Sequence, residues 1–272
     1  MQNGTGALEI KTGYGLDVAN ELKMLRVIHQ IKNLVEIPIK ITLLIAHALP
    51  DDYQNKMDDY VDHMIRHLLP QANELGFDFI DLFCERDYFQ VHHLKQILSA
   101  AKSLGKKGKV HLNQFYSIGG ISEALQHEVI SLDHVEILSE EDIQALLKQP
   151  TIVTALPGCS LFTKIPYTPA RKLMDLNIPV ALATDFNPGS SPNGNMNLVN
   201  SLACIQMQMN PTEVCAASCY NGAAAMELQN ELGSITCGKR ANTTAAISQG
   251  ARGRIIEPAR IRSAAFDGSV LI

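Results

Sequence analysis

Tyr14, His47, Glu85, His111 with Gln114, His134 and Asp185 each stand just beyond a short apolar run of the 272-residue sequence. Imidazoles and a carboxylate gathered from separate segments are the ligand set of a catalytic Zn²⁺ or Fe²⁺ that keeps one position open for water. Asp185 is the best marked of them. Val180, Ala181, Leu182 and Ala183 run unbroken into Thr184 and Asp185, and a turn of Asn187, Pro188, Gly189, Ser190 and Ser191 follows. A carboxylate fixed where a buried strand meets a turn suits a metal ligand or a proton acceptor. A plainer reading stands beside each residue. Asp185 can cap a turn, since Asp, Asn, Pro, Gly and Ser form turns for ordinary backbone reasons. A single histidine at a strand end is more often a satisfied core or surface group, Tyr14 can simply pack, Gln114 can cap a helix, and Gly189 can serve only the turn. Glu85 is left out of the catalytic set because Arg86 beside it suggests a surface position.

The elements that must position these groups follow from periodicity. Strands are predicted at Leu8–Lys11, Ile39–Ala46, Phe77–Phe83, Lys109–Leu112, Val129–Asp133, Thr151–Leu156 and Val180–Thr184. Between them Val18, Leu22, Leu25, Ile28 and Ile31 mark one apolar helix face, and Met57, Tyr60, Val61, Met64, Ile65 and Leu68 another. Ser139 with Asp142 reads as a capping box, Pro150 and Pro179 end helices, and two more helices are expected at 196–209 and 211–226. Strands alternating with helices predict a parallel sheet with crossover helices. Seven such strands are one short of a closed (β/α)₈ barrel, in which all the polar residues above would lie at the C-terminal rim. The competing architecture, an open doubly wound sheet, wants a glycine-rich phosphate turn, and Thr12-Gly13-Tyr14-Gly15 is too short and too aromatic to be one.

At 46% hydrophobic residues the chain has enough apolar matter for one large α/β domain. Its formal net charge is -5 and its basic residues are scattered, which argues against nucleic acid as a partner. No apolar run approaches the roughly 18 residues of a membrane span, and Met1 is followed by QNGTG rather than a signal peptide, so a cytoplasmic location is expected. Cys84, Cys159, Cys204, Cys215, Cys219 and Cys237 include no C-x-x-C pair and are expected as free thiols, with burial expected for Cys215 and Cys219 on one helix face. His63 and His67 are an i, i+4 pair among charged neighbours and read as a solvated face; His92, His93 and His127 receive no role.

The segments EIKTGYGL, IAHALP, DLFCE, KVHLNQF with IGG following, SLDHVE, LPGCS and ALATDFNPGSS, in this order, resemble the imidazolonepropionase family of the amidohydrolase superfamily. The resemblance runs from about Leu8 to Lys239, and ATDFNPGS with H-x-x-Q separates this family from most other amidohydrolases. It implies a TIM-type (β/α)₈ barrel with metal ligands after its first, fifth, sixth and eighth strands. Numbering the strands two to eight puts His111 after the fifth, His134 after the sixth and Asp185 after the eighth. The resemblance implies one divalent or trivalent ion, Zn or Fe, held by His111 and Asp185, with Asp185 also the base. It makes His134 a group that orients the attacked oxygen, and Gln114 a ring contact. Tyr14, His47, Asn187, Gly189 and Ser190 become substrate contacts. The implied reaction is hydrolysis of the cyclic amide of 4-imidazolone-5-propanoate to N-formimidoyl-L-glutamate in histidine breakdown, by an enzyme that forms a homodimer.

The family's H-x-H pair after the first strand is not in this sequence. The fold expected is therefore an incomplete barrel with the first βα unit missing over residues 1–228, followed over 229–272 by the start of the family's small β-domain and an atypical tail from Thr243. A partial metal site, weak metal binding and little activity are expected of the chain alone. Two other readings stand: another cyclic-amide hydrolase or a deaminase of the same superfamily, and a non-catalytic fragment.

Overall fold

A computed structural model describes residues 3–240 and Asn242. Seven strands, β1 (Leu8–Lys11), β2 (Ile39–Ala46), β3 (Phe79–Cys84), β4 (Lys107–Leu112), β5 (Val129–His134), β6 (Ile152–Ala155) and β7 (Val180–Leu182), form one sheet in chain order. Every neighbouring pair is parallel. Runs such as IKITLLIA and FIDLFC are buried nearly throughout, as strands covered on both faces must be.

The connections are helical. They are α1 (Val18–Leu34), α2 (Met57–His63), α3 (Leu69–Leu75), α4 (Val91–Ser103), α5 (Gly120–Ala124), α6 (Glu140–Lys148), α7 (Pro157–Thr163), α8 (Ala170–Asp175), α9 (Met196–Gln206), α10 (Pro211–Ala216) and α11 (Gly222–Ala225). Helix α1 starts at Asp17, whose carboxylate accepts the Asn20 N–H, and turns Leu22, Leu25 and Ile28 inward. Helices α2 and α3 are continuous through a widened turn at Met64–Leu68. Pro70, with no N–H to give the carbonyl of Arg66, makes that widening the less costly path. The expected capping box at Ser139 and Asp142 is formed, and Asp142 accepts four further or reciprocal bonds, from Asn113 Nδ2, Ser117 Oγ, Ser139 N and Ser139 Oγ at 2.7–3.0 Å.

The sheet is curled. Lys11 on β1 reaches Asp81 on β3 and Asp133 on β5, both at 2.7 Å. On a flat sheet β1 and β5 would lie four strand spacings apart, about 19 Å, far beyond any lysine. Only a barrel-like concave face brings them together. The two outer strands, β1 and β7, each pair on one side only among the described residues, so a seam separates them. Below it, Ala223, Leu228 and Leu232 gather with Ala7 and Met226 in a small cluster of their own. The stretch expected to be atypical, from Thr243, lies outside the described residues.

Two boundaries differ from expectation for identifiable reasons. Strand β4 begins at Lys107 because Gly108 keeps strand pairing while Leu98 lies where a side chain would go, 2.6 Å from the position of a Cβ. Strand β7 ends at Leu182, opposite Ala155, where its partner β6 also ends. Among the described residues no helix is long and apolar enough to cross a membrane. Cys215 and Cys219 are exposed, against the expected burial: their shared helix face points outward, and all six thiols are free.

Replacing Asp142 by Ala should cost about 3 kcal/mol, because Asn113 and the start of α6 lose a buried charged acceptor together. Urea unfolding of the variant with an unchanged midpoint would contradict this.

Candidate active site

Inside the curl the strands contribute charge rather than hydrocarbon. Glu9 and Lys11 of β1, Thr42 of β2, Asp81 of β3, Lys109 and His111 of β4, and Ser131 and Asp133 of β5 point to one another. Lys109 is 1% exposed and its ammonium donates to Ser131 Oγ at 2.7 Å and to the Ala225 carbonyl at 2.8 Å, with Glu9 at 3.3 Å. Ser131 Oγ donates to Asp133 at 2.7 Å. Burial alone would lower the pKa of Lys11, but Asp133, Asp81 and Glu9 hold it well above its ordinary value. Burial likewise raises Asp81, and His111 and Lys11 more than reverse it.

His111 sits at the top of this layer. Its N–H donates to Asp81 Oδ1 at 3.1 Å, and its ring Nδ1 lies 2.7 Å from Oδ2 of the same carboxylate. The His134 ring is 5.3 Å away, centroid to centroid. Strict strand alternation would send Asp133 and His134 to opposite faces. A left-handed backbone at His134 (φ 81°) and Val135 (φ 57°) breaks the alternation. Thr168 Oγ1 fastens the bend by donating to the His134 carbonyl at 2.7 Å. Behind the ring, Glu136 lies 3.2 Å from His134 Nδ1 and accepts Ser160 Oγ at 3.2 Å. Burial works against the charged imidazole, but Glu136, with Asp185 and Asp133, raises His134 above its ordinary pKa.

The loops beyond the strands bring in the rest. After β1, Gly13 adopts φ 106° with Leu44 2.7 Å from where a Cβ would stand. The buried Glu21 carboxylate gathers the N–H groups of Gly13, Gly15 and Leu16 at 2.6–3.0 Å. This fixes Tyr14, whose ring meets His47 edge-on at 5.1 Å, while His47 Nδ1 is 3.0 Å from the Gly13 carbonyl. Gln114, 6% exposed, donates to Cys159 Sγ at 3.4 Å. Asp185 also takes a left-handed backbone (φ 50°). Its charge is felt by Tyr14 and Cys159, which burial first and Asp185 second push up, Cys159 to about 12. Burial and the neighbouring His111 push His47 down. Tyr14, His134 and Cys159, from three different strand ends, thus share the field of one carboxylate.

The turn after Asp185 is self-contained. Asn187 Oδ1 accepts Gly189 N at 2.9 Å and Ser190 N at 2.7 Å, and its Nδ2 donates to the Asp185 carbonyl at 2.7 Å. The Asn187 amide is therefore spent on the turn, the half-buried Ser190 hydroxyl accepts from Asn187 Nδ2 at 3.0 Å, and Gly189 is exposed.

Several residues escaped sequence reasoning. Glu9 and Lys11, Lys109 and His111, and Ser131 and Asp133 alternate along their strands, a period of two that was the available signal, whereas Asp81 stands alone in β3. Glu136 lies two residues past His134 with no such mark. Glu85 is fully buried rather than at the surface, with its carboxylate accepting the N–H groups of Arg86, Phe115 and Tyr116 at 2.7–3.3 Å. Asp58, His92 and His93 also come within metal-binding distance of one another. However, His93 Nδ1 accepts the Gln90 N–H at 2.9 Å, which leaves the proton on Nε2, facing Asp58. That ring is committed to capping α4.

The sequence pattern of the amidohydrolase family matches residues 89–256 of the chain. The chain belongs to the amidohydrolase family. Among curated proteins it is 53% identical over 243 residues to the imidazolonepropionase of Christiangramia forsetii, covering 89% of this chain and 59% of that protein. It is 50% identical over 244 residues to that of Flavobacterium johnsoniae, with 89% and 59% covered, and 37% identical over 246 residues to that of Alkaliphilus oremlandii, with 90% and 58% covered. The chain thus spans about three fifths of the length of these relatives. Among solved structures it is similar to a triazine hydrolase variant (TM-score 0.70, 15% identity, 88% of this chain and 59% of that one). It is also similar to a zinc-bound adenosine deaminase from Xanthomonas campestris (TM-score 0.59, 16% identity, 83% and 58%). At these identities the structural likeness concerns the fold, an incomplete TIM-type barrel.

Glu21→Ala should free the Tyr14 loop. Amide exchange at Gly13, Gly15 and Leu16 is expected to quicken about tenfold or more while β3–β5 stay protected. Unchanged exchange at these three amides would sink the assignment.

Proposed function

We propose that this chain carries the greater part of an imidazolonepropionase site, acting on a small cyclic amide, 4-imidazolone-5-propanoate, to give N-formimidoyl-L-glutamate. The observation that supports it most is the His111–His134 pair, ring centroids 5.3 Å apart at the strand ends, with the Asp185 carboxylate close enough to raise Tyr14, His134 and Cys159. An imidazole and a carboxylate of this kind fit Zn or Fe, and we assign His111 and Asp185 as its ligands. When bound, the ion supplies polarisation of the amide carbonyl and acidification of the attacking water.

The chain's own residues do the rest. Asp185 accepts a proton from the attacking water and returns it to the ring nitrogen as the C–N bond breaks. Glu136 holds His134 through Nδ1, so its Nε2–H is free to donate to the oxygen on which charge develops. Gln114, anchored near Cys159, faces the imidazolone ring. Tyr14 and His47 form an edge-on pair that contacts the substrate. The turn offers Gly189 and Ser190 to substrate or product, and Asn187 acts by holding the turn's shape. Residues 1–228 make up the barrel part and 229–272 begin the small domain in this reading. A cytoplasmic homodimer without nucleic-acid or membrane partners completes it.

The test is loss of the imidazolone ultraviolet band with protein loaded with Zn²⁺ or Fe²⁺, measured on the chain as it stands and on a version joined to an H-x-H strand. Turnover is expected of the joined protein, falling about a hundredfold or more with Asp185→Ala. No turnover by either protein, or a rate indifferent to Asp185→Ala, would overturn the proposal.

A further inference from the structure

Asp81, His111 and Asp133 bring one ligand atom each within 4.8 Å of the others, and all three are buried. Two carboxylates and an imidazole at that separation are what a divalent cation gathers. Yet the space between the carboxylates is already held. The Lys11 ammonium stands 2.7 Å from an oxygen of each and 3.3 Å from Glu9. The His111 Nδ1 in turn lies 2.7 Å from Asp81 Oδ2.

We propose that the Lys11 ammonium takes the place of a metal ion at the Asp81–His111–Asp133 cluster. Charge explains the choice. Without Lys11 the interior layer would set three carboxylates, Glu9, Asp81 and Asp133, against the single ammonium of Lys109, a deficit of two charges. Buried charges need a partner, and one divalent ion matches that deficit. With Lys11 in place a divalent ion would instead overcharge the layer and meet an ammonium where its ligands should be. Lys11 acts here as the cation of the layer.

Replacing Lys11 by Met keeps the side-chain length and removes the charge. Equilibrium dialysis against Co²⁺ should then show about one equivalent more bound per chain than the unsubstituted protein binds. The added ion should give visible Co²⁺ absorption and raise the melting temperature of the variant more than that of the unsubstituted chain. Adding Asp81→Asn to K11M should abolish the gain, and adding Asp185→Ala should leave it. If the unsubstituted chain binds no cobalt, the metal assignment at His111 and Asp185 fails, while a gain in K11M still supports the role of Lys11. Should K11M unfold in metal-free buffer, recovery of its circular dichroism on refolding with Co²⁺ is the same result in another form. Cobalt binding by K11M equal to that of the unsubstituted chain, a gain that survives Asp81→Asn, or failure to refold with the ion present would overturn the inference.

Discussion

The charged layer around one lysine is satisfied only if this sheet curls. Seven parallel strands in simple chain order have no reason of their own to close; the twist of neighbouring strands allows anything from a shallow saddle to a barrel. The ammonium of Lys11, held at 2.7 Å by carboxylates two and four strands away, can be satisfied only in the curled form. Once β1, β3 and β5 face one another, the ends of the strands converge on a common mouth. His111, His134 and the loops carrying Tyr14, Gln114 and Asp185 are then neighbours although they are far apart in sequence.

A barrel interior of ions is costly compared with one of leucines, since every buried charge must recover its lost hydration. Here each charged group is answered: Lys11 by three carboxylates, Lys109 by Glu9, Ser131 and the Ala225 carbonyl, Asp133 by Lys11 and Ser131. The same economy governs the rim. Glu21, Glu85 and Asp142 are buried carboxylates that accept loop N–H groups, so the irregular backbone around the mouth is as well satisfied as a helix end. Rigid loops are what a site assembled from separate strands requires.

Much of this was legible before any coordinates. The strands stood out because Ile, Val and Leu runs end in Gly, Pro and Asp, and the helices because their apolar residues recur at three and four. Asp185 and His111 were visible as polar groups placed just past buried runs. Lys11, Asp81 and Asp133 were not, because a single charge in a short apolar run reads as an interruption until a neighbour of opposite sign is known. Glu85 was misjudged for the same reason: Arg86 suggested water, whereas the carboxylate had turned inward to three backbone amides. The helix period put Cys215 and Cys219 on one face but did not say which way that face looks. The left-handed residues His134, Val135 and Asp185 carry no glycine to announce them, so the turning of His134 into the mouth could be seen only in three dimensions.

The order of the strands also bears on time. Each strand pairs with the next along the chain, so the sheet can grow by a series of closures of similar and modest span. The contact of Lys11 with Asp133 bridges 122 residues. Loop entropy rises with span, and distant contacts form after the local ones that shorten the effective path. The ribbon of strands is thus expected to exist before it bends, with the charged interior assembling last. Until that final step the carboxylates that define the mouth remain in water, so the last event in folding is also the one that creates the site.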